Sequence, residues 1–159
     1  MDPCCEAGPG PVEKECPSCG HAGIEVGRIT LKALLCSGAL ARLGSGPYRL
    51  CPARDCPIVY FGQGEAFRRH EVRVPVFRKE AEGARTVCYC FEISEDRIAR
   101  EVETTGASAS CERIRALVQA GCCACEVRNP QGTCCLGHVT ALVRSTRAAA
   151  NRSLAESAR

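Results

Sequence analysis

Cys16-Pro17-Ser18-Cys19-Gly20 and, further along, Cys51-Pro52-Ala53-Arg54-Asp55-Cys56, followed at once by Pro57-Ile58-Val59-Tyr60-Phe61, decide how the first half of the chain folds. Each stretch is a Pro- or Gly-containing turn that carries two thiols, and the second leads directly into strand formers. A divalent zinc ion takes four soft ligands in a tetrahedron, with Zn–S bonds of about 2.3 Å. The two-residue gap of Cys16-x2-Cys19 lets both sulfurs of one turn face one ion. Gly20 permits the positive φ that such a turn needs. Strands that start from the four cysteines would be tied together at their ends by the metal. All four positions would be filled by protein, so the site reads as structural rather than catalytic. The competing reading, four buried thiols acting as small apolar groups, fits poorly with turns of this composition. His21, beside the first turn, reads as a solvated loop histidine rather than a ligand.

Composition shows why such a device is needed. The chain has 159 residues, no Trp and 15 Cys. Val, Ile, Leu and Phe make up about a fifth of it, near the level at which disorder becomes the better expectation. So little apolar surface does not comfortably offset the ordering entropy, and coordination must stand in for the missing core. An odd number of cysteines leaves one thiol over in any closed disulfide framework. The first residues, Met1-Asp2-Pro3-Cys4-Cys5, have no basic segment and no apolar run, so they do not read as a signal peptide. No run of 18 apolar residues is present to span a membrane. The expectation is therefore a cytoplasmic protein, where clustered cysteines read as metal ligands before disulfides. The formal net charge of +3 is too small to argue nucleic-acid binding. A loaded four-thiolate zinc and a loaded oxidised two-iron, two-sulfide cluster would each add −2, taking +3 to −1.

Read for organisation, residues 1–15 form a loose Gly-, Pro- and Glu-containing leader, and 16–80 a small β-rich zinc module. The charged stretch Glu80–Ala84 marks a boundary, after which 81–147 form a short-helix module and 148–159 a tail. The fold class expected is α+β. Ile24–Leu35 predicts a strand followed by a strand or short helix. Ile58–Phe61 predicts a strand, and the alternation over Glu71–Phe77 a half-buried strand at an edge because of Pro75. Ser94 is placed to cap a helix over about Glu95–Thr104 that ends at Gly106, with Ile98 and Val102 on one face. Ser110 is placed to cap a second, over about Cys111–Gln119. Asn129-Pro130-Gln131-Gly132 predicts a turn, and a third helix is expected from about Cys135 to Ala150.

The second cysteine set opens at Cys88-Tyr89-Cys90. A Cys-x-Cys pair can bind one iron of a cluster held by four thiolates. Candidates for the other iron lie in Cys122-Cys123-Ala124-Cys125 and Cys134-Cys135. Both groups stand just before predicted helices, whose N-terminal amides favour anionic sulfur.

These motifs together resemble the N-terminal domain of the CopZ copper chaperone family. The resemblance rests on Cys88-Tyr89-Cys90 followed by two short helices and then Cys125…Asn129-Pro130-Gln131-Gly132-Thr133-Cys134-Cys135. The first half agrees, with Cys16-Pro17-Ser18-Cys19-Gly20 and the Cys51/Cys56 turn before Val59-Tyr60-Phe61 resembling the zinc module of that family. The second half is also similar to bacterioferritin-associated ferredoxin. The resemblance implies Zn²⁺ on Cys16, Cys19, Cys51 and Cys56, and a 2Fe–2S cluster on Cys88, Cys90, Cys125 and Cys135. Cys122-x2-Cys125 also matches the ferredoxin pattern, which makes Cys122 the alternative ligand. His138 is the other substitute ligand to weigh, though a histidine on a helix surface is the commoner case. The family implies copper handling, with the cluster able to reduce Cu(II) to the Cu(I) that is moved to a copper-transporting ATPase or to a separate heavy-metal-domain chaperone.

Copper chaperones of this family continue into a heavy-metal domain with a Met-x-Cys-x-x-Cys loop. Met1 is the only Met here. The expectation is that Cu(I) transfer falls to a separate protein, or that soft metal binds to the spare vicinal thiols Cys4 and Cys5, or Cys122 and Cys123. Cys36 and Cys111 read as buried small side chains. No Ser/His/Asp set, phosphate loop or paired catalytic carboxylate stands out, so a turnover enzyme is not expected. One alternative is a zinc-ribbon nucleic-acid-binding protein or metal-sensing regulator that uses Arg68, Arg69, His70, Arg73, Arg78 and Lys79. Glu65, Glu71 and Glu80 nearby make a solvated face the better reading of those charges. Another alternative is a ferredoxin partner in iron storage and release.

Overall fold

Short runs of strand formers, broken by glycine and proline, build a four-stranded antiparallel sheet in the order β1-β2-β3-β4. The strands are β1 (Ile24–Val26), β2 (Tyr48–Leu50), β3 (Ile58–Gly62) and β4 (Glu65–Arg68). The computed structural model describes residues 13–83 and 85–157, so Cys4, Cys5 and most of the expected leader lie outside the described residues. Glu25 pairs with Arg49, Leu50 with Tyr60 and Phe61 with Ala66. Strand β3 is buried along its whole length because it faces two cores. Val59 and Tyr60 pack with Leu31, Leu35, Tyr48 and Phe67, while Ile58 and Phe61 pack against Cys16, Cys51 and Cys56. Simple alternation would not put residues 58 and 61 on one side; a register shift between Ile58 and Tyr60 does. Gly62 closes the strand with φ 151° where a Cβ would stand 2.4 Å from the Pro47 carbonyl oxygen.

Helix α1 (Arg28–Leu34) resolves the choice left open for residues 24–35 in favour of strand then helix, and the four-residue α2 (Ser37–Leu40) follows it. The strand expected over Glu71–Phe77 does not form. In its place are 3₁₀ turns at Arg69–Glu71 and Phe77–Lys79 and one isolated bridge, Leu35 to Val72. The alternation did report burial, since Val72 and Val76 are inside. The ladder is missing because the backbone is used elsewhere. The Cys36 N–H donates to the Glu71 carbonyl (2.8 Å) and the Arg73 N–H to the Leu34 carbonyl (2.8 Å), which fastens the segment to the end of α1. Glu71 also accepts from the Arg68 N–H and from Arg42.

The second half carries a two-stranded sheet, β5 (Thr86–Cys88) with β6 (Ile93–Ser94), and four helices. They are α3 (Glu95–Thr105), α4 (Ala109–Gln119), α5 (Cys125–Arg128) and α6 (Leu136–Ser157). Ser94 caps α3 by accepting from the Arg97 N–H, and Gly106 ends it at φ 71°. The second cap differs from expectation: Ser108, not Ser110, accepts from the Cys111 N–H. Ser110 serves another purpose. Its hydroxyl (2.6 Å) and N–H (2.8 Å) both donate to Glu101, and the Ser108 hydroxyl adds a third bond at 3.0 Å. Glu101 thus anchors the α3–α4 corner at the positive end of α4. Arg85 and Glu95 form a largely buried ion pair, and the Arg85 guanidinium lies 4.3 Å over the Phe77 ring. The core here joins Phe77, Val87, Ile93, Ile98, Val102, Ile114, Val139 and Val143 with Cys88 and Cys135. The short α5 carries no periodic signal, and α6 continues the predicted third helix through Ala148 to Ser157. Among the described residues no helix is long and apolar enough to cross a membrane.

Burial pushes the Glu101 carboxyl up, but the Ser110 and Ser108 donors outweigh it and leave the group below the usual carboxylate range. A carboxyl depressed on folding stabilises above its unfolded pKa and loses that contribution as pH falls through its folded value. Glu101→Gln is therefore expected to cost about 1–2 kcal/mol at neutral pH. The deficit against wild type should shrink as pH drops below about 4. Thermal melts across that range check both the size and the sign.

Candidate metal centre

The Cys16–Cys19 and Cys51–Cys56 turns come together. The sulfurs of Cys16, Cys19, Cys51 and Cys56 all lie within 4.8 Å of one another. Cys16 to Cys56 is 3.7 Å and Cys19 to Cys51 is 3.6 Å. A tetrahedral ion with bonds of about 2.3 Å needs sulfurs about 3.8 Å apart, so the four donors already have the spacing of a first coordination shell. Local folding accounts for this. The first turn is closed by the Gly20 N–H on the Cys16 carbonyl (2.8 Å) and the Cys16 N–H on the His21 carbonyl (2.9 Å), with Gly20 at φ 71°. Cys51 directly follows β2 and its N–H reaches the Val59 carbonyl at 2.8 Å. Cys56 stands two residues before β3. His21 is exposed, with Nδ1 3.3 Å from the Cys19 carbonyl oxygen, as a loop histidine would be.

Burial pushes the Cys51 thiol up to about 12 and also raises Cys16. For Cys56, burial acts in the same direction, but the Ile58 N–H and the Ser18 hydroxyl outweigh it and bring the group down to about 7. Amides of Ser18 and Cys19 point at the Cys16 sulfur in the same way. Donors aimed at sulfur favour thiolate, while burial without a cation disfavours it. A bound cation reconciles the two.

A further residue supports that conclusion. Lys79, from the second 3₁₀ turn, is 2% exposed. Its ammonium donates to the carbonyls of Ala53 (2.5 Å) and Cys56 (3.2 Å), and among the described residues it has no carboxylate partner. An unpaired buried cation costs several kcal/mol. Four thiolates around a divalent ion carry −2 and would lie beside this ammonium, supplying the missing counter-charge. The donor set and its electrostatic surroundings therefore fit a soft divalent metal. Sequence reasoning put Lys79 on a solvated basic face, because a charged pair such as Arg78-Lys79 gives no sign of which member turns inward.

The second set is arranged differently. The Cys90 and Cys125 sulfurs are 3.7 Å apart, and the Ala124 N–H donates to Cys90 sulfur at 3.3 Å. A hydrogen bond from the Cys135 thiol draws Cys88 down to about 6, and the same bond, with burial, pushes Cys135 well up. Burial and then the Cys90 contact push Cys125 up to about 12. Each member of Cys88-Tyr89-Cys90 is thus joined to a distant partner, Cys88 to Cys135 and Cys90 to Cys125. The spacing predicts both sulfurs of this Cys-x-Cys segment together, whereas the fold sends each toward a different distant cysteine. Cys122 is exposed, with its sulfur 3.7 Å from the Ala120 carbonyl oxygen. Cys134 is also exposed and Cys123 is half-buried. His138 is half-buried, its ring edge-on to Phe77 at 4.2 Å, and burial, Arg78 and Arg85 hold it below its ordinary value. Cys111 is buried as expected, whereas Cys36 is only half-buried. All described cysteines are free thiols.

A family model for the CopZ-type zinc binding domain matches residues 13–73. The copper chaperone CopZ of Archaeoglobus fulgidus is 31% identical over 127 residues, which are 80% of this chain. The chain spans 60% of that relative's length. The crystal structure of the Archaeoglobus fulgidus CopZ N-terminal domain is similar with a TM-score of 0.63 and 30% identity, over 80% of this chain and 96% of that one.

Two variants test the centre. Cys16→Ser is expected to unfold the first half, because the binding energy of a structural zinc, about 10–16 kcal/mol, is folding energy. An unchanged melting curve and zinc content would place the site elsewhere. Lys79→Met should release zinc to a competing chelator about tenfold faster, read with a colorimetric zinc indicator.

Proposed function

Because the chain belongs to the CopZ family, to which it corresponds in the N-terminal domain, we propose that it is a metal-loaded electron-supplying module of copper handling. Residues 16–80 form the zinc lobe, with Cys16, Cys19, Cys51 and Cys56 as ligands. Residues 81–147 form the second lobe, similar to bacterioferritin-associated ferredoxin. There Cys88 and Cys135 would hold one iron of a 2Fe–2S cluster and Cys90 and Cys125 the other. The observation that carries this reading is the pairing across the Cys-x-Cys segment, with the Cys90–Cys125 sulfurs 3.7 Å apart.

A bound 2Fe–2S cluster supplies one electron at a time, here for reduction of Cu(II) to Cu(I). The protein's part is to hold and tune. Cys135 stands at the start of α6, whose first-turn amides present positive charge to the ligand set. The Ala124 N–H donates to Cys90 sulfur, a bond that favours the reduced, more negative state. Ile93, Val87 and Val139 keep water from the Cys88 and Cys135 side. Exposed Cys122 and half-buried Cys123 offer soft donors for Cu(I) close to that set in sequence. Delivery to a copper-transporting ATPase or a separate heavy-metal-domain chaperone completes the role, with the cytoplasm as its compartment.

Anaerobically reconstituted protein should be red-brown, lose visible absorption on dithionite, and give an EPR signal in the reduced form. Cys135→Ser should lose the colour and Cys134→Ser keep it. A colourless wild-type protein would end the proposal, and the reverse mutant result would move the ligand by one residue.

A further inference from the structure

Both loops that carry the second sulfur set are fastened to the first half of the chain by side-chain hydroxyls. Tyr60 lies in the middle of β3 and is fully buried, and its hydroxyl donates to the Pro130 carbonyl at 2.8 Å. Thr30, on α1 and 1% exposed, donates through Oγ1 to the Glu126 carbonyl at 2.6 Å. Glu126 and Pro130 both fall between Cys125 and Cys135. The segment leaves little slack. Asn129, 3% exposed, donates to the Thr133 carbonyl (2.7 Å) and accepts from the Gln131 N–H (3.0 Å). Gly132, at φ 68°, is so close to α1 that a Cβ would stand 2.7 Å from Thr30 Oγ1. The other loop is held likewise. Tyr89, between Cys88 and Cys90, donates to the Pro75 carbonyl (2.8 Å) and accepts from the Phe77 N–H (2.9 Å).

Tyr60 and Thr30 are buried away from water, so each of their bonds specifies a distance rather than merely adding cohesion. Tyr60 is itself placed by β3, which starts two residues after Cys56. We infer that Tyr60 and Thr30 are positioning residues for the second sulfur set, so that the lobe tied by the first metal centre fixes the spacing of Cys125 and Cys135. The inference rests on the reading of that set as a 2Fe–2S site. The first lobe then serves as template for the second.

The test uses the full chain carrying both metals, in wild-type, Tyr60→Phe, Thr30→Val and Tyr48→Phe forms. Tyr48 is the control: it is equally buried in the same sheet, but its hydroxyl accepts from the Gly44 N–H, away from the second lobe. Tyr60→Phe and Thr30→Val should keep zinc yet bleach about tenfold faster with an iron chelator. Their reduced EPR signals should shift in g-values. Tyr48→Phe should match wild type on both readouts. If Tyr60→Phe fails to retain zinc, Thr30→Val answers the same question from the other hydrogen bond. A wild-type cluster whose lifetime and EPR signal are unchanged in both variants overturns the inference alone. A wild-type protein that binds no cluster overturns the 2Fe–2S reading and this inference with it.

Discussion

Four sulfurs spaced for one ion are the constraint on which the first half depends. β2 ends just before Cys51 and β3 begins just after Cys56, so the ends of the two central strands meet at the centre. The apolar layer beneath it is thin: among the described residues, Ile58 and Phe61 are the large side chains buried beside the cysteines. A structural zinc contributes binding energy of about 10–16 kcal/mol as folding energy, which is as much as an entire small domain ordinarily has in net stability. A chain with few large apolar residues can therefore still order a sheet.

Charge is distributed to match. The buried ammonium of Lys79 lies under the Cys51–Cys56 turn, and amides of Ser18, Cys19 and Ile58 face sulfur. In the second half, the Ala124 N–H and the start of α6 take the corresponding place. The turn that supplies Lys79 also supplies Phe77, which packs in the second core against His138 and under Arg85. One short stretch, residues 77–79, thus touches both halves of the molecule.

Local chemistry was legible wherever it is local in fact. Ser94 and Gly106 bracket α3 as read, since a cap needs only the next few amides and a positive φ needs only the glycine itself. The choice between Ser108 and Ser110 was not legible. Both are good caps, and what separates them is the Glu101 carboxylate on the preceding helix, which claims Ser110. The alternation at 71–77 reported burial correctly but not pairing, because which backbone groups are free depends on where α1 ends. The four-residue α5 is too short to show a period.

The cysteine spacings alone picked out Cys16, Cys19, Cys51 and Cys56 as one group carried by turns rather than long elements, because the bite of a Cys-x2-Cys turn is a property of a few bonds. Only the tertiary structure decided that Cys90 meets Cys125 and that Lys79 turns inward. It also decided that Tyr60 and Thr30 reach across to the Cys125–Cys135 segment. Those contacts join residues far apart in the chain. Their distances are set by how two packed lobes meet, which no window of neighbouring residues encodes.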